Sequence, residues 1–116
     1  MKLCYIAGPY TARTLIGRVI NIYRARKVAK VLWAKGYGVI CPHSNSAFMD
    51  KSAPPEQFYK GTLEMLKHCD YIVMLKGWGR STGSREELRY AYKNSIPVIY
   101  WGCGNWRSDR GQIWHL

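Results

Sequence analysis

The chain has 116 residues, 47% of them hydrophobic and 22% charged, the size and balance of one globular domain that buries a core without metal or disulfide staples. Eighteen Lys and Arg against seven Asp and Glu leave a net charge of +11, which favours anionic partners. No apolar run approaches the ~20 residues of a membrane span. The opening MKLCYIAGP ends in a turn without the small-residue cleavage site of a signal peptide, so a cytoplasmic protein with no membrane partner is expected.

In chain order, residues 2–7 read as a first strand that stops at Gly8-Pro9. From about Leu15 to Lys35, Ile16, Val19, Ile22, Ala25, Ala29, Leu32 and Trp33 recur at helical spacing, and Gly36 supplies the C-terminal stop. Tyr37 to Cys41 is a second strand halted by Pro42, and residues 43–54 form a polar loop without periodicity. Pro55 starts a helix reaching about His68, with Phe58, Leu63, Met65 and Leu66 available for packing. Tyr71–Leu75 is a third strand, and a further helix runs to about Asn94. Residues 96–101 form a fourth strand, and the tail GCGNWRSDRGQIWHL fits an edge strand, a helix or a segment lying across a partner.

Strands alternating with helices predict a single α/β domain over 1–116, a mainly parallel sheet with helices on both faces. Ligands of such sheets bind outside the carboxyl ends of the strands. Gly8–Arg13, His43–Asp50 and Gly77–Glu87 all follow strand ends and share that rim, whereas His68 and Asp70 precede a strand and fall at the opposite rim. Asp70 is therefore expected to be structural. The four cysteines, Cys4, Cys41, Cys69 and Cys103, are widely spaced, with no C-x-x-C pair, and they read as small core residues. Neither a metal nor an organic cofactor is expected.

The stretch GWGRSTGSREELRYA, residues 77–91, carries most of the chemistry. A glycine-rich turn feeding a helix presents backbone N–H groups and the positive end of the helix dipole, to which Ser81, Thr82 and Ser84 add hydroxyls. It is neither a Walker loop nor G-x-G-x-x-G. Ser84-Arg85-Glu86-Glu87 also fits the S-x-x-E capping box, in which Ser84 caps the helix and Glu87 reaches back; spacing alone favours the box over catalysis. A first-turn glutamate is expected to have a lowered pKa from the dipole.

IAGPYT at 6–11, NIYRA at 21–25, GYGVICPH at 36–43, HCDYIVMLKGW at 68–78 and STGSREELRYA at 81–91 followed by IPVIY together form one arrangement. It resembles the nucleoside 2-deoxyribosyltransferase-like superfamily and, within it, the small DUF4406-type branch frequent in bacteriophages and their hosts. The resemblance spans strand one to strand four. It implies a flavodoxin-like, three-layer α/β/α fold with four to five strands. It also implies cleavage or transfer at the N-glycosidic bond of a nucleoside or nucleoside 5′-monophosphate. The family's catalytic glutamate falls on Glu87, within Gly83-Ser84-Arg85-Glu86-Glu87.

The same resemblance puts Gly8, Pro9 and Tyr10 against the ligand, and position on the productive rim adds His43, Gly77, Trp78, Ser81, Gly83 and Ser84. One departure stands out. The family carries an aspartate about eight residues ahead of the strand-initial Asp, and counting back from Asp70 lands on Thr62. Asp50 and Glu56 are then the other rim acids available for its role. The charge, the Ser81–Ser84 turn and nearby Arg80 and Arg85 predict a preference for 5′-monophosphates.

Two other readings compete: a catalytically silent nucleotide-binding module, and a basic nucleic-acid-associated protein, the latter disfavoured because the cations are spread rather than clustered. The family implies a homo-oligomer, and the apolar tail residues Trp101, Trp106, Ile113 and Trp114 agree with it.

Overall fold

The alternation of side chains along β1 (Leu3–Ala7) builds two cores at once. In the computed structural model, which describes residues 1–101, 105–108 and 113–115, Cys4 and Ile6 face one side of the sheet, and Tyr5 and Ala7 face the other. β3 (Tyr71–Met74) and β4 (Val98–Trp101) repeat the pattern. Val73 and Ile99 join the first side, and Ile72, Met74 and Val98 the second. Helix α1 (Leu15–Ala34) covers the first core with Ala25, Val28, Ala29 and Leu32. Helices α3 (Pro55–Lys67) and α4 (Thr82–Lys93) cover the second with Leu66, Leu88 and Ala91. Leu32, Leu66 and Ile72 are exposed by 1% or less, and each such burial is worth about 1.5–3 kcal/mol.

The strands lie in the order β2-β1-β3-β4-β5-β6, where β2 is Gly38–Ile40, β5 Asn105–Ser108 and β6 Ile113–His115. The first four are parallel, and β5 and β6 are added antiparallel. This is the flavodoxin-like arrangement, and it puts the topological switch point between β1 and β3, where a ligand crevice is expected. The ambiguous tail thus extends the sheet. Cys103, Asp109 and the side chains of Trp106, Ile113 and Trp114 lie outside what is described.

Three local expectations are corrected. The apolar face of α1 was expected to run from Ile16 to Trp33, yet Ile16 and Trp33 are 73% and 56% exposed. A 20-residue helix is about 30 Å long, whereas five residues of β1 span only about 17 Å, so the N-terminal half of α1 overhangs the sheet and exposes Ile16, while Trp33, in the last turn, lies about 100° around the helix from buried Leu32. Within the segment expected to be loop, Pro42–Asn45 turns into a short helix, α2, with Pro42 in its first turn. The helix expected to be capped at Ser84 starts three residues earlier. Ser81 is its N-cap, its Oγ accepting from the Ser84 amide at 3.2 Å.

At the rim, Gly8 is required by packing: a Cβ there would stand 2.8 Å from Leu75 Cβ. Gly77 adopts φ +90°, and a side chain would also press on Pro9 and Arg80. No described helix is long and apolar enough to cross a membrane.

Candidate active site

A cavity of about 490 Å³ opens at the carboxyl ends of β1 and β3. Four segments wall it. Ile6, Gly8, Tyr10 and Thr11 come from β1 and its loop, and Pro42, His43, Ser46 and Asp50 from α2 and the segment after it. Pro55, Phe58, Tyr59 and Thr62 belong to α3, and Ser81, Gly83, Ser84 and Glu87 to the start of α4. Of the residues singled out in the sequence, Gly8, Tyr10, His43, Thr62, Ser81, Gly83, Ser84, Glu87 and Asp50 therefore meet in one place.

The others do not line it. Pro9 turns its carbonyl to His43 and packs its ring beside Gly77. Gly77 makes the left-handed turn after β3, and Trp78 packs on Tyr100, with ring centres 6.0 Å apart. Glu56 is exposed on the first turn of α3. Arg80 and Arg85 are not cavity residues either. Arg85 donates to the Gly79 carbonyl at 2.7 Å and to Thr82 Oγ1 at 3.3 Å. Asp70 accepts the Leu3 amide at 2.8 Å at the far rim, as a structural residue does.

Glu87 sits in the second turn of α4, half-buried, and accepts a short hydrogen bond from the Tyr5 hydroxyl through Oε2. It caps nothing, because the helix has already begun; the capping-box expectation fails with the cap itself. The expected lowering of its pKa also fails. Burial removes water from the carboxylate and pushes its pKa up to about 7, with the Tyr5 hydroxyl pulling it back down. The pKa of Tyr5 itself is raised, first by burial and then by the neighbouring Glu87 charge, while the nearby Thr62 hydroxyl works the other way. Tyr5 was missed in the sequence because it sits inside an apolar strand. The available signal was alternation, which points it to the same face as α4.

His43 is buried, 4% exposed, and its Nε2 lies 3.0 Å from the carbonyl oxygens of Gly8 and of Pro9. Both partners are acceptors, so Nε2 carries the hydrogen and donates. Burial lowers the pKa of this histidine, against the pull of the two carbonyls; the ring is a neutral strap on the Gly8-Pro9 turn. Its Nδ1 and the Ser84 Oγ are the two buried side-chain polar atoms without a hydrogen-bond partner among the described residues. Ser84 is 1% exposed and lines the cavity at the amino end of α4.

Tyr10 is held from three sides. Its hydroxyl accepts the Phe48 amide at 3.0 Å, and its carbonyl accepts from Asn21 Nδ2 at 3.3 Å. The Arg18 guanidinium lies 5.4 Å from its ring centre and pairs with Asp50 at 3.2 Å. Asp50, expected as a rim acid, is thus neutralised by Arg18. Thr62 donates to the Tyr59 carbonyl at 2.9 Å. The aromatic wall of Phe58 and Tyr59 was read in the sequence only as packing residues or not at all.

Residues 2–100 match the domain of unknown function DUF4406. No protein of curated function matches the sequence. Among solved structures, a 2-deoxyribosyltransferase from the psychrotolerant bacterium Bacillus psychrosaccharolyticus superposes with a TM-score of 0.66 at 24% identity, covering 84% of this chain and 70% of its own. A 2-deoxyribosyltransferase from Leishmania mexicana gives 0.65 at 19% identity, covering 87% of this chain and 64% of its own. A conserved protein from Enterococcus faecalis V583 gives 0.66 at 27% identity, covering 86% of this chain and 62% of its own. At these identities the likeness is one of fold.

Proposed function

Because the chain belongs to the DUF4406 family and shares the fold of 2-deoxyribosyltransferases, we infer that it breaks an N-glycosidic bond of a nucleoside or nucleoside 5′-monophosphate, transferring the sugar or hydrolysing the bond. The observation that carries this reading is Glu87: a half-buried carboxyl in a 490 Å³ cavity, aimed by Tyr5 and not engaged in capping. Beneath an anomeric carbon, a carboxylate attacks to form a glycosyl ester or stabilises the oxocarbenium ion. Excluding water from the cavity strengthens that interaction.

Ser81, Gly83 and Ser84 at the amino end of α4 are the proposed seat of the sugar or its 5′-phosphate. The helix dipole and the unpartnered Ser84 hydroxyl support this. Arg80 and Arg85 lie outside the cavity, so the seat is neutral and relies on hydrogen bonds. No cofactor enters the reaction as proposed. Incubation with nucleosides and 5′-monophosphates, reading free base by chromatography, tests the reading; Glu87-dependent base release is the expected result.

A silent nucleotide-binding module is the second reading, and Thr62 favours it, since a hydroxyl stands where a carboxyl would help the leaving base. Tight nucleotide binding without base release decides for it. We further propose a homo-oligomer: Leu15, Ile16, Val19, Ile20 and Tyr23 on the overhanging half of α1 are each at least 43% exposed, an apolar surface that a second copy would bury. A single-chain mass by light scattering at micromolar concentration contradicts that.

A further inference from the structure

The cavity pairs one carboxyl group free of any cation, Glu87, with a second carboxyl and an imidazole that are already committed. We propose that the preferred substrates are N-glycosides whose leaving base already carries a positive charge fixed by ring substitution, as in a pyridinium nucleoside or a 7-alkylated purine nucleoside. This rests on the Glu87 reading above and specifies its substrate.

A neutral base leaves with difficulty unless it is protonated as the bond breaks. A carboxyl group that acts as carboxylate at the anomeric carbon cannot also be the acid in the same step. Among the described residues facing the cavity, the other carboxyl and imidazole groups are occupied, and the donors that remain, such as the Ser84 and Tyr10 hydroxyls, are weak acids for protonating a base. The Asp50 carboxylate is paired with Arg18 at 3.2 Å. The His43 Nε2 hydrogen points at the Gly8 and Pro9 carbonyls. The Thr62 hydroxyl donates to the Tyr59 carbonyl, and the Tyr5 hydroxyl donates to Glu87 itself.

A cationic leaving group removes the requirement. The bond from the anomeric carbon to nitrogen breaks, and its electron pair moves onto the ring nitrogen and cancels the positive charge. The base departs neutral, without a proton. Glu87 supplies the pair for the new carbon–oxygen bond. Water then displaces the carboxylate, and one proton is released to solvent per turnover.

The walls suit such a ligand. Phe58 and Tyr59 of α3 line the same cavity as the carboxyl of α4, and a cationic ring is attracted to aromatic rings and carboxylates alike. A cation beside Glu87 also favours its ionised, nucleophilic form. Tyr5 on β1 is the titratable group in direct contact with Glu87, while Asp50, His43 and Tyr10 share the cavity. A neutral nucleoside brings neither benefit.

The test is base release by the wild-type protein and the Glu87→Gln variant from nicotinamide riboside, its 5′-monophosphate, 7-methylguanosine, inosine and adenosine. Glu87-dependent release is expected from the cationic compounds, at least a hundred-fold faster than from inosine or adenosine. Release from the pyridinium compounds alone, or from 7-methylguanosine alone, identifies which source of the cation is used. Thr62→Asp, which introduces a carboxyl beside the leaving base, is expected to narrow the preference tenfold or more. Glu87-dependent release from inosine or adenosine at a rate within tenfold of the cationic compounds overturns the proposal and leaves the Glu87 reading standing. No Glu87-dependent release from any compound overturns both.

Discussion

Tyr5 and Glu87, 82 residues apart in the chain, are joined by a hydrogen bond in which the phenol of β1 donates to the carboxylate of α4. That contact ties β1 to the helix that follows β3, and it orients, and lowers the pKa of, the one carboxyl group among the described cavity residues not held by an arginine.

Tyr5→Phe keeps the ring that fills the core and removes the donor. The Tyr5 hydroxyl lowers the pKa of Glu87, so its loss raises that pKa further. The acidic limb of kcat/KM, which reports the free protein, is expected to move to higher pH. Turnover at pH 7 then falls about tenfold and recovers in alkaline buffer. The buried hydrogen bond itself is worth about 1–3 kcal/mol of stability. A pH profile that superposes on the wild type contradicts the coupling.

The pKa of about 7 for Glu87, against 4.5 without the protein around it, also makes a stability prediction. Between those two values the folded protein binds more protons than the unfolded chain, so stability falls as pH rises through that window. Glu87→Gln removes the group and is expected to flatten the profile, leaving the variant at least as stable as the wild type at pH 8. Thermal melts of both proteins from pH 4 to 8 measure this; parallel profiles contradict it.

Ser81 and Ser84 separate capping from binding. Ser81→Ala removes the N-cap of α4 and is expected to cost about 0.5–2 kcal/mol, lowering Tm, with a smaller effect on substrate choice than Ser84→Ala. Ser84→Ala removes an unpartnered buried hydroxyl. It is expected to leave Tm unchanged or slightly raised, and to reduce the preference for a 5′-monophosphate about tenfold, the worth of ~1.4 kcal/mol. The opposite assignment of the two effects restores Ser84 as the cap.

Much of this architecture was legible in the sequence because period-2 and period-3.6 patterns are local. β1, α3 and β3 start or end within two residues of their expected bounds, and the rim rule brings Tyr10, His43, Ser84 and Glu87 to one end of the sheet, whereas Thr62 is pointed to only by the family pattern. What escaped depended on longer-range geometry. The overhang of α1 follows from the mismatch between helix and strand length, which no hydrophobic pattern records. The cap at Ser81 won over Ser84 because α4 starts three residues earlier, and S-x-x-E spacing is blind to where a helix begins. Tyr5 gained its partner only from the pairing of β1 with β3 and the packing of α4 across them, and that packing desolvates Glu87 enough to reverse the effect expected of the helix dipole.

The central claim is that the Glu87 carboxylate acts at the anomeric carbon, and base release by Glu87→Gln beside Glu86→Gln tests it most directly. Glu86 lies one residue earlier, paired with Arg89 at 3.0 Å and about 100° around the helix. A folded Glu87→Gln protein whose base release falls by roughly several powers of ten, beside a Glu86→Gln protein close to wild type, is the expected result. Full activity in folded Glu87→Gln contradicts the mechanism.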